Sequence, residues 1–175
     1  VTNSEPIELK MELVGGGMYI GANYIVFTPC NQPETVRMEL EDYNGGVEKS
    51  ADGIKMNSFD NGNPDSEHGF SSVAIMTATG DYVVYTLPAL KPASYKVTLN
   101  YKLSQSNRGI AQFYINGKPI GEPINESTTG AERMVTAELG TIEVSDSEPI
   151  KLKMEHKGGG MYIGANYIVF TPVSE

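Results

Sequence analysis

Along residues 95–102 apolar and polar side chains alternate without a break: Tyr95, Val97, Leu99 and Tyr101 point one way, Lys96, Thr98, Asn100 and Lys102 the other. That two-residue period is the mark of a half-buried strand. It returns at Ile150, Leu152, Met154 and His156 against Lys151, Lys153 and Glu155, and again at Ile7, Leu9, Met11 and Leu13 against Glu8, Lys10 and Glu12. Further strands are expected at 36–41, 53–57, 72–77, 80–87, 109–116, 132–139 and 166–171. Between them lie turn pairs such as Gly45-Gly46, Asp52-Gly53, Asn61-Gly62 and Asn116-Gly117, whose residues tolerate the backbone angles that tight turns require. No window keeps a helical period over three turns. Short strands, each with one polar face, need two sheets packed face to face, so the pattern predicts an all-β chain folded as a β-sandwich, best of the jelly-roll type.

One stretch, GGGMYIGANYIVFTP, occurs twice, at residues 15–29 and 158–172. The match extends outward to Ser4 and Ser147, an offset of 143 residues, with only Glu8/Lys151, Leu13/His156 and Val14/Lys157 differing. An offset of this size is that of one ordinary domain rather than of a solenoid repeat. The division expected is therefore residues 1–34 as the closing strands of a preceding repeat plus a linker, and 35–175 as a complete β-sandwich module that closes with the same hairpin. A spare amphipathic hairpin exposes apolar side chains and open edges in water, which predicts self-association through the duplicated element.

Composition narrows the partners. The formal net charge is −9, with 13 Lys and Arg against 22 Asp and Glu, and no basic cluster appears, so nucleic acid is not an expected partner. No run approaches the roughly 20 apolar residues of a membrane span, so no membrane insertion is expected. Cys30 is the sole cysteine and stands where the other copy has Val173, which points to no reactive role. His156 stands where the other copy has Leu13, a place for a half-buried side chain. No nucleophile elbow, zinc spacing or phosphate loop is present, and no catalytic residue is assigned.

Several short motifs resemble one family. Met38-Glu39-Leu40-Glu41-Asp42-Tyr43 is similar to the opening strand of family 6 and family 35 carbohydrate-binding modules. Gly80-Asp81-Tyr82, with Tyr95-Lys96-Val97 after it, looks like their Gly-Asp-Trp strand and the strand that follows. Asn166-Tyr167-Ile168-Val169-Phe170 is similar to their closing Asp-apolar-Ile strand. Residues 108–119 resemble a strand and hairpin common in sugar-binding-like sandwich domains. Together these span residues 36–172.

The resemblance implies a non-catalytic galactose-binding-like β-sandwich with a structural calcium between first and last strands, and a sugar site on one of two surfaces. For the metal it points to Glu39, Glu41 and Asn166. Asn166 takes the place of the family's Asp, which removes one negative charge and weakens the site. The alternative for Glu39 and Glu41 is a solvated strand face.

A pyranose ring stacks on flat aromatics and offers hydroxyls to polar groups. No Trp is available. The candidates for carbohydrate binding are Phe59, Asp60, Asn61, His68 and Phe70 in the loop read at 57–71, Tyr162 after the glycine-rich run, and Tyr82 in the place of the family's aromatic. Phe59 and Phe70 read equally well as plugs at the ends of the sandwich, and Tyr82 as a core ring. The expected function is a secreted or cell-surface bacterial carbohydrate-binding module, repeated for avidity toward a polysaccharide, more readily a neutral one given the acidic chain. The alternative is a structural or adhesive spacer without a sugar site.

Overall fold

A computed structural model describes residues 33–60 and 70–173. The expectations placed on residues 1–32, on Asn61 and on His68 lie outside the described residues. The strands, in chain order, are β1 (Val36–Glu39), β2 (Glu48–Lys49), β3 (Lys55–Asp60), β4 (Phe70–Ile75), β5 (Tyr82–Ala89), β6 (Ala93–Leu103), β7 (Gly109–Ile115), β8 (Lys118–Asn125), β9 (Arg133–Val144), β10 (Pro149–Gly159), β11 (Tyr162–Ala165) and β12 (Tyr167–Pro172). Among the described residues they form a four-stranded sheet ordered β1-β12-β6-β9, a five-stranded sheet ordered β2-β5-β10-β7-β8, and a three-stranded sheet ordered β11-β4-β3. All assigned strand pairings are antiparallel. The fold is an all-β sandwich.

The alternating patterns decide which side chains go inside. Val83, Tyr85 and Leu87 of β5, Ile150, Leu152 and Met154 of β10, and Phe113 of β7 are all buried. They join Tyr95, Val97 and Leu99 of β6 with Ile168 and Phe170 of β12 in one continuous core. Each such side chain contributes about 1.5–3 kcal/mol by leaving water. Their polar neighbours, Lys151, Lys153 and Glu155 among them, stay on the outer face. The Asn116-Gly117 pair, with φ of 48° and 80°, turns β7 into β8, and the Asn116 carboxamide oxygen accepts the Lys151 N–H at 2.8 Å.

The structure departs from the sequence expectations at three places. The closing element is not a hairpin. β10 pairs with β5 and β7, β11 with β4, and β12 with β1 and β6, so one segment of 24 residues visits all three sheets. Alternation shows that a stretch lies on a sheet but not on which sheet, so two successive amphipathic strands read as partners of one another. The first strand is also shorter than the 36–41 expected: it stops at Glu39, and Leu40–Gly46 forms a 3₁₀ turn with Leu40 buried. Finally, the two ends of the segment read as the loop 57–71, residues 57–60 and 70–71, belong to the paired strands β3 and β4, in which Phe59 lies opposite Ser71 and Asp60 opposite Phe70.

The core makes a direct prediction. Tyr95 is buried, meets Phe170 edge-on with ring centroids 6.4 Å apart, and donates its hydroxyl hydrogen to the Lys91 carbonyl at 2.9 Å. Tyr95→Ala should destabilise the fold by about 3–5 kcal/mol. Tyr95→Phe, which keeps the ring and loses the hydrogen bond, should cost only about 0.5–1.5 kcal/mol. Urea unfolding midpoints of the two variants check both values.

Candidate functional site

At one end of the sandwich the three-stranded sheet meets the ends of β6 and β7. A concavity of about 300 Å³ opens there, lined by Phe59, Ser71 and Val73 from the small sheet, Lys102 and Ser104 from the end of β6, Ser106, Arg108, Glu132 and Tyr162. Phe59 is 49% exposed, so it is not the end plug that the sequence equally allowed. Its position on β3 opposite Ser71 places it on the same face as Ser71 and Val73. Tyr162, which opens β11, supplies the second ring and is half-buried. Its backbone N–H donates to the Asn107 carbonyl at 3.1 Å, and it bridges to Arg108 in parallel register.

The polar part of the site rests on two ion pairs. Arg108 donates from Nη1 to Glu126 Oε2 at 3.3 Å, with the two side chains 10% and 0% exposed. Glu126 accepts the Gly164 N–H on both oxygens, at 3.1 and 2.9 Å. Burial pushes the Glu126 carboxyl up to about 8, against the opposing pull of Arg108 and the Gly164 N–H. Gly164 is required for this packing: a Cβ there would stand 2.8 Å from Arg108 Nη1 and 3.0 Å from Val73 Cγ2. The second pair is nearer solvent. Glu132 accepts from the Ser104 hydroxyl, from the Gln105 N–H at 3.2 Å and from Lys102 Nζ at 3.0 Å. The Ser104 hydroxyl foremost, then Lys102 and the Gln105 N–H, hold its carboxyl down to about 2. The Ser104 and Ser106 hydroxyls lie 2.7 Å apart.

The lining combines apolar and polar groups. Two aromatic rings border a floor of hydroxyls, a carboxylate and an ammonium group, a mixture that suits a ring with one apolar face and many hydroxyls. Two carboxyls with opposite displacements resemble an acid and base pair, but Glu126 is fully buried and gives both oxygens to Gly164. It presents no oxygen to a glycosidic bond.

The remaining sequence candidates fall in different places. Asp60 ends β3 beside Phe59, and Phe70 opens β4 opposite it. Tyr82 is not a core ring: it is 36% exposed at the start of β5. It belongs to the five-stranded sheet, where Lys153 Nζ lies 4.9 Å from its ring centroid and 4.1 Å from that of Tyr114. It does not line the concavity. His156 is buried rather than half-buried, with Nδ1 3.0 Å from the Ala78 carbonyl.

The Leu40 N–H donates to the Asn166 carbonyl at 2.9 Å, so the end of β1 lies beside the start of β12. Glu39 and Glu41 are not on one strand face, because the strand ends between them. Glu39 is buried and held by Arg37 through Nε and Nη2, each at 2.6 Å, while Arg37 lies 3.6 Å over the Tyr167 ring. Asn166 donates from Nδ2 to Asn100 Oδ1 at 3.0 Å. Among the described residues no group of three or more His, Cys, Asp or Glu side chains is placed to hold a metal.

Sequence reasoning missed Lys102, Ser104, Ser106, Arg108, Glu126 and Glu132. They come from the end of β6, the loop after it, and the stretch between β8 and β9. Nothing in their local sequence distinguishes them from solvated loop residues.

Comparison with known proteins bears on the fold. No protein-family model matches the chain, and no curated protein does. Among solved structures, the chain is similar to a Paenibacillus xanthan lyase at 18% identity and a TM-score of 0.67, covering 83% of this chain and 14% of that one. It is similar to the CBM22-1 xylan-binding domain of Paenibacillus barcinonensis Xyn10C at 9% identity and a TM-score of 0.55, covering 81% of this chain and 97% of that one. A CBM36-1 domain of a multidomain xylanase from the hindgut metagenome of Trinervitermes trinervoides matches at 12% identity and a TM-score of 0.50, covering 81% of this chain and all of that one. The chain thus has the fold of carbohydrate-binding modules, and it spans only a small part of the xanthan lyase.

The buried pair predicts a pH dependence. Because the folded-state pKa of Glu126 is raised to about 8 from an unfolded value near 4.5, the folded state binds the extra proton between those limits. This contribution is fully present below about 4.5 and is lost as pH rises through about 8. Thermal melts from pH 5 to 9 should show stability declining across that window in the parent, and a flatter profile in Glu126→Gln.

Proposed function

We propose that this domain is a non-catalytic carbohydrate-binding module whose glycan site is the concavity between Phe59 and Tyr162. The observation that carries the reading is the half-exposed Phe59 ring standing over a polar floor. A concavity that combines aromatic lining with a few convergent polar groups is the default candidate for ligand binding. The fold supports the same class of function. Lys102 is paired with Glu132, Arg108 is almost wholly buried, and the chain as a whole is acidic, which together favour a neutral glycan over a uronate or sulfate polymer.

A structural polysaccharide as ligand supports a secreted or surface setting for the protein. The repetition of a module-closing segment in the sequence supports avidity toward a polymer, since linked sites convert the second binding step into an intramolecular one. Calcium belongs to the proposal in a limited form. A cation held by Glu39, Glu41 and Asn166 must take Glu39 from Arg37, so it binds weakly.

Two measurements test these statements. Calorimetric titration with neutral xylan, mannan and β-glucan oligosaccharides should find binding. Phe59→Ala and Tyr162→Ala should each reduce affinity about tenfold, roughly 1.4 kcal/mol, and Phe59→Ala should leave the melting temperature nearly unchanged. Tyr82→Ala should leave affinity intact. Absence of binding across the panel would point to a structural spacer. For calcium, the melting temperature should rise only at millimolar concentration, as expected for a weak ligand of the folded state, and the rise should vanish in Glu41→Ala. A melting curve unmoved by calcium removes the metal from the proposal.

A further inference from the structure

The segment β10 to β12 occupies a demanding seat. Leu152 and Met154 are fully buried in the core, as are Ile168 and Phe170. A Cβ on Gly160 would overlap the Asn107 carbonyl. Gly164 makes room for Arg108, and Asn166 ties the end of β1 to β6 through Leu40 and Asn100. Each of these residues recurs unchanged 143 positions earlier, as Leu9, Met11, Ile25, Phe27, Gly17, Gly21 and Asn23.

The three differences fall where the seat is permissive. Lys151 and Lys157 have side chains 45% and 40% exposed, so Glu8 and Val14 meet no steric barrier. His156 is buried with Nε2 lacking a hydrogen-bond partner, and Leu13 would remove that unsatisfied nitrogen. The larger penalty falls on Glu8, because Lys151 pairs with Glu48 at 2.8 Å and Glu8 would set two carboxylates side by side, whereas Val14 would lose only the exposed Lys157 to Glu155 pair.

The connection is also short enough. In the structure Val36 of β1 pairs antiparallel with Phe170 of β12. If Phe27 took the place of Phe170, β12's counterpart would end at Pro29 and six residues, 30–35, would turn the chain back into β1. That is a long hairpin connection of ordinary reach. We infer that residues 4–29 are a second closing segment for the same sandwich, able to enter the seat from within the same chain and release residues 147–172, with the Lys151 to Glu48 pair favouring the C-terminal copy. The replacement is a circular rearrangement of connectivity with the same core.

The test uses the full chain and substitutions that no exposed position would feel. Leu152→Asp puts a carboxylate into the core at a position that is 0% exposed, and Leu9→Asp does the same to the other copy. The expected result is that Leu9→Asp leaves the urea midpoint unchanged, Leu152→Asp stays folded and monomeric with a lowered midpoint, and the double variant loses its cooperative transition. Limited proteolysis followed by mass measurement should remove residues 147–175 from Leu152→Asp and leave the rest intact. Equal stability of Leu152→Asp and the double variant, whether both are folded or both unfolded, would overturn the inference. So would a Leu152→Asp protein that is folded only as a dimer in light scattering, since the replacement would then come from a second chain.

Discussion

The tertiary structure depends on a single covalent constraint: one continuous segment, from Pro149 to Pro172, must supply an interior strand to two sheets and an edge strand to the third. β10 sits between β5 and β7, and β12 sits between β1 and β6. Without them the five-stranded sheet divides into two pairs and β1 has no partner. The inward side chains of the two strands form the middle of the core, so backbone pairing and burial are lost or kept together. The glycine run at 158–160 makes this threading possible, because the chain leaves one sheet for another there and passes in contact with the backbone of Asn107 and Gly109.

The same constraint builds the site. Tyr162 follows the glycine run directly, and its bridge to Arg108 holds the aromatic wall against the residue that forms part of the floor. Two residues later, the Gly164 N–H donates to both oxygens of Glu126. Glu126 is fully buried, and a charge taken from water at such a place is costly unless it is met by donors or neutralised. Arg108 and Gly164 meet it in part, but burial outweighs them and raises its carboxyl. A buried pair of this kind is weak evidence for stability, but it fixes the Arg108 side chain.

Charge is distributed unevenly around the concavity. The chain is acidic as a whole, yet one ammonium and one guanidinium group line this opening. Lys102 pairs with Glu132 near solvent, whereas Arg108 turns inward to the buried Glu126.

Some of this was legible in the sequence. Alternation at 95–102 and 150–156 identified strands and their buried faces, because a period of two is a local property of extended backbone and survives in any sheet. The motifs around Glu39, Tyr82 and Asn166 pointed to the fold, and Phe59 and Tyr162, singled out from residue type and setting, line one concavity. Tertiary structure alone decided the rest. It separated β10 from β12, moved Tyr82 to another sheet, and brought Lys102, Arg108, Glu126 and Glu132 together. Strand partnership and the convergence of loop residues are set by which distant segments pack, and the period of a single strand carries no record of its neighbours. Residues 4–29 and 147–172 make the point most directly. Sequence establishes that they are nearly the same element, and only the seat of residues 147–172, with its buried core positions and its crowded glycines, shows what those residues do there.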